Sequence, residues 1–305
     1  MRVIQRPDTV GDRVVALGTF DGVHTGHKAL LRTAKSISLK YEAPLRVCTF
    51  NRHPLEVINP KASPEQLSTI PEKAMQMNDL GVDEMELMNF SRTVADMEPD
   101  TFLERLRSAM NVRAVVAGWN YTFGRGGKGD AEFLREDGRK YGYDVIIEPP
   151  VKMQDGTVIS SSLARQKLHE GDLETAETLL GYNYTLTGTV AQGKHQGRRI
   201  GFPTANIEPW HKKVLPLYGV YICQLRTGNG VYPAVTNIGT QPTLPSGKAT
   251  IEAHVIGAHP ALYGQKVRLT LLHMLRPEKK FDTLQELKEQ IECDRREAMK
   301  YFDMA

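Results

Sequence analysis

Over the first half of the chain, short apolar runs rich in β-branched residues alternate with longer stretches in which apolar positions recur every three or four residues. RVVALGTF, PLRVCTF, AVVAG and DVIIEPP read as buried strands, and HKALLRTAKSISLKY between the first two reads as a helix. Strands alternating with helices predict a parallel sheet covered on both faces. The pattern changes near Gly181. EGDLETAETLLG is helical up to a glycine stop, and YTLTGTV, GVYICQLRTG, GVYPAVTNIG, ATIEAHVIG and QKVRLTLLHML follow as strands with no helix between them. TGNGVY puts Asn229 and Gly230 in a hairpin turn. Such a run predicts a small antiparallel barrel or sandwich. Helical spacing then returns at Phe281, Leu284, Leu287, Ile291, Ala298 and Tyr301, behind a capping box of Thr283 and Glu286.

A length of 305 residues exceeds what one hydrophobic core organises, which agrees with two domains meeting where the pattern changes. At 40% apolar and 25% charged residues, the chain has the composition of a water-soluble globular protein. The start, MRVIQRPDTVGDR, lacks the apolar core of a signal peptide, and no later stretch offers the roughly 18 apolar residues of a membrane span; a cytoplasmic protein without a membrane partner is expected. Cys48, Cys223 and Cys293 are far apart and form no CxxC pair, so neither a disulfide framework nor a zinc site is indicated. A net charge of +3 is too small for a nucleic-acid partner, whereas local basic clusters such as GKHQGRR suit one small phosphate ligand.

The candidate chemistry is densest in GTFDGVHTGH, residues 18–27, where a strand runs into a helix. The glycines Gly18, Gly22 and Gly26 let backbone approach a phosphate closely, and His24 and His27 at the helix start present two imidazoles on one side towards an anion. This stretch resembles the signature of the prokaryotic bifunctional riboflavin kinase and FAD synthetase family, nucleotidyltransferases with an HxGH motif, here His24 to His27. TFNRHPLEV, VVAGWNYTFG, ISSSLAR, EGDLETAETLLG, GRRIGFPTANI, LYGVY, NIGTQPT, IEAH and FDTLQELKEQIECD agree in the same order, over nearly the whole chain.

The resemblance implies a Rossmann-like α/β nucleotidyltransferase domain with a parallel sheet over residues 1–182, followed over residues 183–305 by a small antiparallel β-barrel kinase domain with a C-terminal helix. It implies that the first domain joins the AMP of ATP to FMN with release of pyrophosphate. FMN's phosphate is largely anionic at neutral pH, so the step needs positioning and charge neutralisation more than a base. His24 and His27 would donate to phosphate oxygens. Phe20 and Asp21 belong to the same nucleotide-binding motif, and Ser160, Ser161, Ser162 and Arg165 of ISSSLAR to a second. His53, Asn120, Phe123 and Arg276 are expected at flavin. In the kinase half, Gly193, Gly197, Arg198 and Gly201 form a glycine-containing anion loop without P-loop spacing. Thr204 and Asn206 would hold Mg2+, a hard cation that favours oxygen ligands. Riboflavin offers a neutral alcohol, so a base is useful, and Glu252 in the alternating strand ATIEAHVIG is the candidate.

Three positions depart from the family pattern: Arg52 before His53 and Pro54, Ala164 before Arg165, and Gln241 in NIGTQPT. The expected activity is therefore phosphorylation of riboflavin to FMN and adenylylation of FMN to FAD, with ATP, riboflavin and FMN as the small-molecule partners, in a monomer or weak homo-oligomer. An FAD synthetase with weakened kinase activity and a non-catalytic flavin-binding regulator are the alternatives. Retention of Glu252 together with His24 and His27 argues against the regulator.

Overall fold

The computed structural model describes residues 1–5, 11–191, 201–240 and 249–304. The chain divides into two compact units, Met1–Ser161 and Ser162–Ala305.

The first unit runs β1 (Arg2–Ile4), β2 (Asp12–Leu17), α1 (Thr25–Lys40), β3 (Leu45–Phe50), α2 (Leu55–Ile58), α3 (Ile70–Asp79), β4 (Glu84–Met88), α4 (Arg92–Ala95), α5 (Pro99–Ala109), β5 (Asn111–Gly118), α6 (Ala131–Tyr141) and β6 (Asp144–Glu148). Its six strands lie in the order β1-β4-β3-β2-β5-β6, every neighbouring pair parallel. Apolar side chains cover both faces. Val14, Ala16 and Val47 pack with Leu30, Leu31 and Met77 on one side, and Val15, Leu17 and Val115 with Phe102, Leu103 and Leu134 on the other. This two-sided burial is why the predicted strands read as continuous apolar runs.

Strand β4 departs from that rule and was not legible. Its Glu84 and Glu86 are buried, with Arg46, itself fully buried, 2.7 Å from Glu84 and 3.5 Å from Glu86, and with Arg13 2.9 Å from Glu84. Buried charges persist only when paired, and here the pairing crosses three strands.

The second unit carries α7 (Ser161–Glu170), α8 (Leu173–Leu180), β7 (Thr185–Ala191), β8 (Ala205–Pro209), β9 (Gly219–Thr227), β10 (Gly230–Thr240), β11 (Ala249–Val255), β12 (Lys266–Pro277) and α9 (Leu284–Tyr301). The strands close into a barrel in the order β10-β11-β8-β7-β12-β9, which decides between barrel and sandwich. Helices α7 and α8 group with the barrel: Leu217 N donates to Leu168 O at 2.8 Å, and a Cβ on Gly171 would lie 2.8 Å from Met274 Sδ.

The hairpin between β9 and β10 is present but shifted. Pairing of Thr227 with Gly230 leaves Gly228 and Asn229 in the turn, where the Thr227 hydroxyl accepts the Asn229 N–H at 3.0 Å. Helix α9 starts at the expected N-cap, Thr283 Oγ1 accepting from Glu286 N at 3.1 Å, which is one half of the expected capping box. Its barrel-facing side differs from the expected stripe. Leu284 and Tyr301 are exposed, while Asp294 and Ala298 are buried, Ala298 against Val220, Ile222 and Val235. No helix among the described residues is long and apolar enough to cross a membrane.

Candidate active sites

Strand β2 is where the chain reverses its progress across the sheet, since β3 and β4 follow on one side and β5 and β6 on the other. Open parallel sheets bind ligands at the carboxyl ends of strands at such a point, and the loop of residues 18–24 leaves β2 there. Its backbone is unusual: Phe20 (φ 50°) and Val23 (φ 39°), neither of them glycine, lie in the left-handed region beside Gly22 (φ 75°). Such strain persists only where surrounding contacts impose it.

Buried hydrogen bonds and packing impose it here. The buried Asp21 carboxylate accepts the N–H groups of Leu67 and Ser68 at 3.0 and 3.2 Å, and Gly22 N donates to Ser68 Oγ at 3.0 Å. Ser161 Oγ donates to Asp21 O at 2.9 Å, and Lys73 Nζ to Thr19 O at 2.6 Å. The Phe20 ring is fully buried, and a Cβ on Gly18 would stand 3.0 Å from it. The side chains of Phe20 and Asp21, expected at the nucleotide, face inward and hold the loop. Nothing in the sequence marks Lys73, since a lysine four positions past an N-cap reads as a solvated helix residue.

His24 caps α1, its Nδ1 accepting from His27 N at 3.3 Å. That bond leaves Nε2 as the protonated nitrogen of the neutral ring, a donor. The two imidazoles stack with centroids 3.7 Å apart at 18°, and a Cβ on Gly26 would lie 3.1 Å from the His24 ring. Burial, then His24, then Lys73 hold the His27 pKa well below its ordinary value, so His27 is a neutral imidazole at physiological pH. Its Nδ1 is buried without a hydrogen-bond partner among the described residues.

Neighbouring strand ends carry two further candidates. His53 follows β3, its Nδ1 accepting from Leu55 N at 3.2 Å at the entry to α2, and Asn120 is exposed just past β5. Ser160 and Ser161 stand at the start of α7, with Ser162 and Arg165 in its first turns. Phe123 is not at a surface: its ring is buried among Phe102, Tyr121 and Phe133, at centroid distances of 5.4, 5.9 and 5.8 Å.

In the barrel, strand register builds the second site. Glu252 on β11 pairs with Asn206 on β8 at one side and with Asn237 on β10 at the other. Directly opposed residues in an antiparallel pair hold their Cβ atoms about 4.5–5.5 Å apart, so a carboxylate stands in a row between two amides. Ala205, Ile207, Ile251 and Ala253 are buried while Asn206, Glu252 and His254 are partly exposed, which puts the row on the outer face. His254, two residues beyond Glu252, makes a 2.9 Å hydrogen bond from Nδ1 to Pro203 O and so ties the segment before Thr204 to β11. Asn237 and His254 were not singled out from the sequence; only pairing brings them to Glu252. The oxygens of Thr204, Asn206 and Glu252 are the donor chemistry that Mg2+ takes, and no group of three or more His, Cys, Asp or Glu among the described residues forms an all-protein metal cage.

A groove of about 470 Å³ is lined by Phe202, whose ring meets that of His254 at a centroid distance of 5.7 Å, and by Lys288, Glu289, Glu292, Cys293 and Arg296 of α9. Arg276, expected at flavin, is clamped to Asp294 at 2.8, 3.1 and 3.2 Å and so holds α9 to β12. Gly201 is exposed with φ +94°, while Gly193, Gly197, Arg198 and Gln241 lie outside the described residues.

Comparison with known proteins matches each unit separately. The FAD synthetase family model matches residues 7–163 and the riboflavin kinase family model residues 180–302. The bifunctional riboflavin kinase/FMN adenylyltransferase of Bacillus subtilis is 36% identical over 95% of this chain and 92% of its own length. That of Escherichia coli K12 is 35% identical over 95% and 93%. A crystal structure from Streptococcus pneumoniae, described as a macrolide-efflux protein, superposes with a TM-score of 0.86 at 32% identity over 96% of this chain and 97% of that one. With both domains matched in one polypeptide and relatives aligned over nearly its full length, the chain belongs to the bifunctional riboflavin kinase/FMN adenylyltransferase family.

Proposed function

We propose that the two reactions of this flavin-cofactor enzyme, phosphorylation of riboflavin to FMN and adenylylation of FMN to FAD, use two sites matched to the acidity of their nucleophiles. Residues 1–182 carry adenylyl transfer and residues 183–305 carry the kinase. The observation behind this reading is where the carboxylates stand. Asp21, the one acid in GTFDGVHTGH, is buried on the amides of Leu67 and Ser68 and is not available as a base. Glu252 stands partly exposed between Asn206 and Asn237.

At the first site, a phosphate oxygen of FMN attacks the α-phosphorus of ATP and the bond to pyrophosphate breaks, with no proton to remove. His24 and His27 donate to the phosphate oxygens, His27 as a neutral imidazole, joined by Ser160, Ser161, Ser162 and Arg165. His53 and Asn120 contact the flavin. At the second site, riboflavin's hydroxyl attacks the γ-phosphorus, ADP leaves, and Glu252 accepts the hydroxyl proton. Mg2+, when bound by Thr204 and Asn206, neutralises charge on the transferring phosphoryl group. The groove beside Phe202 and α9 takes the flavin. A cytoplasmic location and a monomeric or weakly self-associating state complete the proposal, the latter to be tested by sedimentation.

Incubation with ATP, Mg2+ and riboflavin, followed by separation of the flavins over time, tests the whole. FMN followed by FAD is expected. FAD only from supplied FMN would remove the kinase assignment, and bound but unchanged flavin would remove both.

A further inference from the structure

The loop expected to receive the ATP phosphates contains two histidines, of which His27 is held neutral, so a triphosphate there draws on positive charge from outside the loop, Arg165 of the second motif being one source. Lys73 is placed to supply it. Its side chain is buried, with 7% of the residue exposed, although lysines are rarely buried without a charged partner. Among the described residues, Nζ has one hydrogen-bond acceptor, the Thr19 carbonyl at 2.6 Å, and no carboxylate at ion-pair distance. An ammonium has three donors. The acid whose field reaches it, Asp21, already accepts hydrogen bonds from Leu67 and Ser68.

The position is rigid. Helix α3 begins with a complete capping box, Thr69 Oγ1 accepting from Glu72 N and Glu72 Oε2 accepting from Thr69 N, with proline in its first turn. Burial draws the Lys73 pKa down to about 8 against the opposing pull of Asp21, so the group remains mostly charged at neutral pH. A desolvated ammonium with unfilled donors, fixed behind a loop of strained backbone, is stabilised by an anion arriving on that loop.

We propose that Lys73 is a further positioning residue for adenylyl transfer, holding the Thr19 carbonyl and placing behind the 18–26 loop the positive charge that orients the ATP phosphates. This rests on the reading that the loop is the ATP site. Two substitutions separate charge from scaffolding: Lys73→Gln keeps an N–H donor for the Thr19 carbonyl without the charge, and Lys73→Met removes both. KM and kcat for ATP and for FMN are measured in the full chain, beside His27→Ala. Both Lys73 variants should raise the ATP KM by about tenfold, the scale of one lost charge-assisted contact, with the FMN KM within about twofold of the parent. A Lys73→Gln enzyme with the parent's ATP KM, or with both KM values rising together, overturns the proposal. If Lys73→Met does not fold, Lys73→Gln alone decides. An unaltered ATP KM and kcat in His27→Ala would instead overturn the assignment of the loop.

Discussion

Replacing Glu252 with glutamine takes away a proton acceptor while keeping the length and carbonyl oxygen of the side chain. The residue lies partly exposed on the outer face of β11, paired with Asn206 and Asn237, and a substitution of this kind outside the core shifts stability by no more than about 0.5 kcal/mol. The loss of a general base is larger. Such catalysis contributes about 10²–10⁴-fold, equivalent to about 2.7–5.5 kcal/mol in the barrier. The two half-reactions are assayed separately at saturating ATP and Mg2+, riboflavin to FMN and added FMN to FAD. FMN formation should fall by about 100-fold or more through kcat, while FAD formation keeps its rate, because FMN's phosphate arrives already ionised. Riboflavin phosphorylation within about threefold of the parent, in a variant with an unchanged melting temperature, would refute the assignment, since that is far short of the general-base range.

Thr204→Val should weaken Mg-nucleotide binding in the kinase reaction and leave adenylylation of added FMN intact; equal loss of both would mean a folding defect. Arg46→Met takes the cation from the buried Glu86 and leaves Glu84 to Arg13 and Arg2, at a cost of about 3 kcal/mol, which for a unit of this size lowers the melting temperature by about 6–12 °C in calorimetry. A fragment beginning at Ser162 should unfold cooperatively and at higher temperature than one beginning at Asn183, because the latter lacks the Leu168–Leu217 hydrogen bond and the packing of Gly171 against Met274; equal melting of the two would show that α7 and α8 do not support the barrel.

Much of this protein was legible in local pattern. The parallel strands are buried on both faces and so carry continuous apolar runs, and GTFDGVHTGH places one of its glycines, Gly22, where the backbone turns left-handed. What depends on nearest neighbours in sequence can be read there: strand and helix periods, the Thr283 cap, the Gly181 stop of α8, and the change of architecture near residue 181. Tertiary structure decided the rest, because it turns on partners distant in the chain. Glu84 and Glu86 in β4 look like surface positions until Arg46 and Arg13 arrive from neighbouring strands. Asp21 and Phe20 give no sign in the sequence that residues 67–68 and the core bury their side chains. Only barrel closure and register put Asn206 and Asn237 on either side of Glu252, and only the packing of α3 brings Lys73 to Thr19, 54 residues earlier in the chain. A side chain's type states what chemistry it can do, but its burial and its partners, which determine its charge and reach, are set by contacts between segments that the linear pattern leaves unspecified.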